Sequence, residues 1–95
     1  MKKKAHVLYA VNCDTSRILL ILNPETDNET AIKAIYDKIA EIEFCDLEED
    51  DEYFNITAKE EIRRIAERIW LYYDSFYLDT RWEVTYGIAT NVEIL

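Results

Sequence analysis

The sequence predicts an α+β domain, with an N-terminal hairpin plus a long C-terminal strand or hairpin in a largely antiparallel sheet and two helices on one face. Three observations predict it. Two strand-like runs open the chain, two central stretches repeat apolar residues at intervals of three and four, and the residues from Trp82 to Ile94 alternate between apolar and polar. The expected order is ββα, an acidic link, then αβ, within a single domain spanning residues 1–95.

The first strand is expected over residues 5–13 (AHVLYAVNC) and the second over 17–23 (RILLILN). Asp14, Thr15 and Ser16 between them are turn formers, so the two should pair as a hairpin. The second run is apolar on both faces from Ile18 to Leu22, the pattern of a central strand covered on both sides. Pro24 then stops the sheet. A first helix should run from about Glu29 to Glu43, capped by Asn28, with Ile32, Ile35, Ile39 and Ile42 as its apolar stripe. A second helix should begin after Thr57, where Thr57 and Glu60 fit a reciprocal capping box. Its expected core stripe is Ile62, Ile65, Ala66, Ile69, Tyr73, Phe76 and Tyr77, with Glu60–Arg64 and Arg63–Glu67 paired on the exposed side. In the last strand, Trp82, Val84, Tyr86, Ile88, Thr90, Val92 and Ile94 should share the buried face. The single glycine, Gly87, suggests a bulge there, and Ala89-Thr90-Asn91 is a candidate turn.

The chain carries 20 acids against 11 bases, a net charge of −9, and the imbalance is local. Residues 1–24 sum to +3, residues 25–52 to −10 and residues 53–95 to −2. Such a middle third repels bare polyanions and attracts cationic protein surfaces, so direct nucleic-acid binding is not expected. No apolar run approaches the roughly 18 residues of a membrane span, and no signal-peptide pattern follows the N-terminal lysines; a cytoplasmic protein with no membrane partner is expected. Cys13 and Cys45 form no CxxC pair, and the lone His6 completes no zinc spacing. Both thiols read as small buried residues, and spacing alone does not decide whether they pair.

The densest acidic stretch, FCDLEEDDEYF, puts six carboxylates between Asp46 and Glu52: Asp46, Glu48, Glu49, Asp50, Asp51 and Glu52. A calcium loop of the EF-hand kind needs glycine at its sixth position and glutamate at its twelfth. Counted from Asp46, those positions hold Asp51 and Thr57, so no dedicated metal site is expected, although weak divalent binding to so dense a charge stays open as a third reading, a metal-responsive regulator. No catalytic residue and no cofactor is expected either. A nucleophile needs a positioned base, and His6 stands alone. A single glycine cannot build a phosphate-binding loop.

The physical case for the run is imitation of a polyanion. An extended chain advances about 3.3 Å per residue, close to the roughly 3.4 Å phosphate spacing of one DNA strand. Glu25, Asp27, Glu29, Asp37, Glu41 and Glu43 could widen the run into a patch. A second candidate surface lies in the C-terminal half of helix two. Seven of the twelve aromatic residues fall between Trp70 and Tyr86, and Leu71, Tyr72 and Leu78 lie off the helical core stripe. In size and charge the chain looks like small acidic inhibitors such as phage anti-restriction and anti-CRISPR proteins or toxin-immunity proteins, groups that share no single fold. The expected function is therefore non-enzymatic: an acidic inhibitor that occupies a basic, nucleic-acid-facing groove on a target protein. The alternative is a small homodimeric scaffold that uses the aromatic helix-two surface, with acidity serving only solubility.

Overall fold

The computed structural model describes residues 3–12, 15–43, 56–78 and 83–94. Its elements run β1 (Lys3–Asn12), β2 (Thr15–Leu22), α1 (Asn28–Glu43), α2 (Ile56–Tyr72), β3 (Phe76–Leu78) and β4 (Val84–Ile94). All strand pairs are antiparallel, in the order β2-β1-β4-β3, and both helices lie on one face of the sheet. The α+β fold is as the sequence predicts, with one addition, the short strand β3.

Alternation in β1 sets the two faces. His6, Leu8 and Ala10 point toward the helices, and Ala5, Val7, Tyr9 and Val11 point away. Leu8 and Ala10 meet Ile88 and Tyr86 of β4 across the ladder. Ile32, Ile35 and Ile39 of α1 and Ile62, Ile65, Ala66 and Ile69 of α2 close over them, so the core lies between one sheet face and the two helical stripes. Ile42 ends the α1 stripe half-buried.

Several local expectations are corrected. Strand β2 is an edge strand in the order β2-β1-β4-β3, with Ile18 65% and Ile21 55% exposed, so its apolar run does not mark a central position. The α1 cap is Asp27, not Asn28. Its Oδ2 accepts from the Thr30 N–H at 3.1 Å, and its backbone carbonyl accepts the Ala31 N–H. The box expected at Thr57 falls outside the described side chains. Helix α2 stops at Tyr72, so Tyr73, Phe76 and Tyr77 leave the predicted stripe. Tyr73 takes the left-handed conformation (φ 58°), and its N–H returns to the Ile69 carbonyl at 3.1 Å. Arg68 then clamps the exit, its Nε donating to Asp74 Oδ2 at 3.0 Å. No glycine or proline announces this stop in the sequence, which is why the periodic pattern reads through it.

Strand β4 is continuous to Ile94, so Ala89-Thr90-Asn91 is not a hairpin turn. The bulge lies at Thr90–Asn91 rather than at Gly87. Pairing jumps from Val7↔Ala89 to Ala5↔Val92, and Asn91 adopts φ 55°. The extra residue inverts the alternation beyond it, so Val92 shares the far face with Ala5 instead of the core face with Ile88. Beyond the bulge the ladder continues to Lys3↔Ile94.

Candidate functional site

The acidic residues Asp46, Glu48, Glu49, Asp50, Asp51 and Glu52 lie outside the described residues; the structure fixes the two elements they join. Helix α1 ends at Glu43 and α2 begins at Ile56. The described residues carry twelve acids and nine bases, so six of the nine net negative charges belong to the other segments. Helix α1 does not extend the run into a continuous patch. Asp37 binds Lys33 at 3.0 Å and Glu41 lies 3.7 Å from Lys38. Asp27 is occupied by the cap, where the hydroxyl and the N–H of Thr30 hold its carboxyl below the usual carboxylate range. Glu43 is fully buried, its Oε2 accepting from the Tyr86 hydroxyl at 2.7 Å.

Helix α2 is neutralised in the same way. Arg63 pairs with Glu67 at 3.5 Å, as its spacing predicts. Arg64 pairs with Glu61, three residues back, rather than with Glu60, and that carboxylate raises the guanidinium's pKa. Exposed pairs of this kind add little stability, about 0–1 kcal/mol each. Their effect here is on the field: most of the exposed helical acids lie within 4 Å of a base, while Glu29 and Glu60 stand exposed among them.

The predicted aromatic surface divides. Leu71 and Tyr72 are exposed, 44% and 64%, at the C-terminal end of α2, and the Arg68 guanidinium lies 5.2 Å from the centre of the Tyr72 ring. Leu78 is not on that surface; it sits on β3 and packs against the core. Trp70 is buried and donates from Nε1 to Asn28 Oδ1 at 2.9 Å, tying the end of α2 to the start of α1. His6 lies under the same corner, its ring centre 5.4 Å from that of Trp70 and 5.8 Å from that of Tyr73. Its buried Nδ1 has no hydrogen-bond partner among the described residues.

The far face of the sheet is a surface that reading the sequence missed. By register it carries Ala5, Val7, Tyr9 and Val11 of β1, Ser16, Ile18 and Ile21 of β2, Tyr77 of β3, and Thr85, Gly87, Ala89 and Val92 of β4. A bulge at Leu19 shifts the β2 register, since Leu8 faces Leu20 while Tyr9 faces Ile18. This puts Ile18 and Ile21, three apart in sequence, on one face. The signal available beforehand was the two-sided apolar run itself, read as a buried strand. Tyr9 lies across its partner Gly87, so close that a β-carbon on Gly87 would fall 2.5 Å from the phenol oxygen.

Among the described residues no group of three or more His, Cys, Asp and Glu side chains is placed to hold a metal ion, and no helix is long and apolar enough to cross a membrane. No protein-family model, curated protein or solved structure matches this chain.

Proposed function

We propose that the protein is a non-enzymatic acidic binder whose segment around Asp46–Glu52 occupies a basic, nucleic-acid-facing groove of a target protein. The observation that carries this reading is the segregation of charge. Asp37, Glu41, Glu61 and Glu67 are paired with bases, Asp27 caps α1 and Glu43 is buried, and six of the nine net negative charges lie outside the described residues, which leaves the linking segment as the most concentrated source of negative field. A cationic groove is steered to such a source, and the association rate is the quantity most affected. Purification of partners at low and high salt, followed by mass spectrometry, tests it. The parent should retain nucleic-acid-binding proteins at low salt and release them at high salt. A variant with Glu48→Gln, Glu49→Gln, Asp50→Asn and Asp51→Asn should retain far less at the same fold stability. Equal retention by parent and variant at low salt refutes the reading.

A second reading, the homodimeric scaffold built on the helix-two surface, is favoured by the exposure of Leu71 and Tyr72. Leu71→Ala with Tyr72→Ala should then yield a folded monomer.

A further inference from the structure

We propose that the outer edge of β2 is a docking site for an extended peptide, which adds to the sheet as a further strand and brings a carboxylate to Arg17. The proposal goes beyond the acidic reading and does not depend on it.

The first ground is the edge itself. Strand β2 ends the order β2-β1-β4-β3, so the backbone N–H and C=O groups on its outer side have no strand partner among the described residues. Thr15, Ser16, Arg17 and Ile18 are all exposed there. An extended backbone presents donors and acceptors at the spacing that matches such an edge. The opposite edge strand, β3, offers three residues against the eight of β2.

The second ground is what lies on either side of that edge. By register Ser16 and Ile18 share the far face with Val11 and Tyr9, while Arg17 shares the helix face with Ala10. Tyr9, Ser16, Arg17 and Ile18 line a hollow of about 510 Å3. Arg17, Ile18 and Leu19, with Lys38, Glu41 and Ile42 of α1, line a second of about 280 Å3 on the helix side. Successive side chains of a docked strand point to opposite faces, so neighbouring residues of the guest enter the two hollows in turn. This pairing of an open ladder with alternating side-chain hollows is how strand addition gains both affinity and selectivity. The first hollow, walled by Ile18 and the Tyr9 ring, suits an apolar side chain.

The third ground is charge. Arg63, Arg64 and Arg68 each have a carboxylate within 4 Å, and Arg17 has none among the described residues. Lys38 stands 3.7 Å from Glu41, which leaves Arg17 as the cation of the second hollow able to take a guest carboxylate. The bulge at Leu19 and the charge on Arg17 discourage pairing with an indiscriminate apolar strand. A guest carboxylate removes that obstacle, so the same features select for it. The guest pattern is apolar, acidic, apolar.

The probe is the capped peptide Thr-Val-Glu-Val-Thr, whose valines share one face and whose glutamate takes the other. Titrated to about 5 mM into the isotope-labelled full chain, it should shift amide resonances over Thr15–Leu19, slow hydrogen exchange at alternate amides there, and bind with a Kd of about 1 mM or tighter. N-methylation of the glutamate, or of both valines, removes the N–H groups on one side of the guest backbone. One of these two peptides should lose binding and the other keep it, because only alternate N–H groups face β2. Glutamine in place of the peptide's glutamate and Arg17→Gln in the chain should each weaken binding about two- to fivefold, and together by no more than either alone. Arg17 is exposed, so the variant should fold as the parent does. The four-amide variant of the acidic run should bind the peptide no more weakly than the parent, which separates this site from that run. No shifts up to about 5 mM, shifts centred on Leu71 and Tyr72, equal binding by both N-methylated peptides, or additive losses from the two glutamine changes would each overturn the proposal.

Discussion

Tyr9 and Gly87 face each other across the β1–β4 ladder, and the pair makes a prediction with a change of sign. A β-carbon at position 87 would meet the Tyr9 ring at 2.5–2.7 Å, so Gly87→Ala must push the ring out of its place. The expected cost is about 1–2 kcal/mol, read as a lower denaturant midpoint at constant m-value. With Tyr9→Ala already present the obstacle is gone, and Gly87→Ala should stabilise by about 0.5–1 kcal/mol because glycine loses more chain entropy on folding. Destabilisation in both backgrounds would show that the ring is not the cause. Buried Glu43 gives a second test. Tyr86→Phe removes the phenol donor that reaches its carboxyl at 2.7 Å and should cost about 1–3 kcal/mol, whereas Glu43→Gln keeps an acceptor for that phenol and should cost less. The sequence hid both features. A glutamate at the end of a helix reads as solvated, and the partner that buries it lies 43 residues away.

At the scale of elements, the apolar periods of 2 and 3.6 located both helices, the N-terminal hairpin and the C-terminal strand. Features set by one residue of phase did not show. The bulges at Leu19 and Asn91 each reassign a face without altering composition, so Ile18 and Ile21 passed as core and Val92 was placed on the wrong side. The end of α2 was unreadable because a tyrosine in the left-handed conformation, backed by the Arg68–Asp74 pair, closes a helix where a glycine is usual. The α1 cap was misplaced by one residue, and it supports a pH prediction. Hydrogen bonds from Thr30 lower the folded-state pKa of Asp27, so its contribution is complete above the unfolded value near 3.9 and is lost as pH falls through the lower folded value. Thermal melts between about pH 2 and 6 should show Asp27→Ala below the parent at the upper end, with the gap narrowing as pH falls. Asp27→Asn keeps an acceptor for the cap and should lie nearer the parent, without that titration. A gap between parent and Asp27→Ala that widens toward low pH would contradict the assignment.

For the whole molecule, charge and exposed apolar residues are sorted to different places, largely paired charge on the helices and Ile18, Ile21 and Tyr77 on the edge strands of the far sheet face. The composition made the acidity legible but could not show how the far sheet face divides between its buried centre, Ala5 and Val7, and its exposed edges, Ile18, Ile21 and Tyr77. Melting temperatures with and without about 1 mM calcium or magnesium should differ no more than with matched sodium chloride, since the acidic run lacks the glycine and glutamate of a dedicated loop. Saturable stabilisation with a midpoint of about 1–10 μM would reveal such a site. The pairing of Lys3 with Ile94 has a kinetic consequence. It makes β1–β4 the most sequence-distant contact in the fold, one that forms only after nearly the whole chain has been closed into a loop. A circular permutant that joins the two ends by a short linker and opens the chain between Glu49 and Asp50 turns that pairing into a local hairpin. It should refold faster than the parent while keeping the same sheet, and it would divide the acidic run between two free ends.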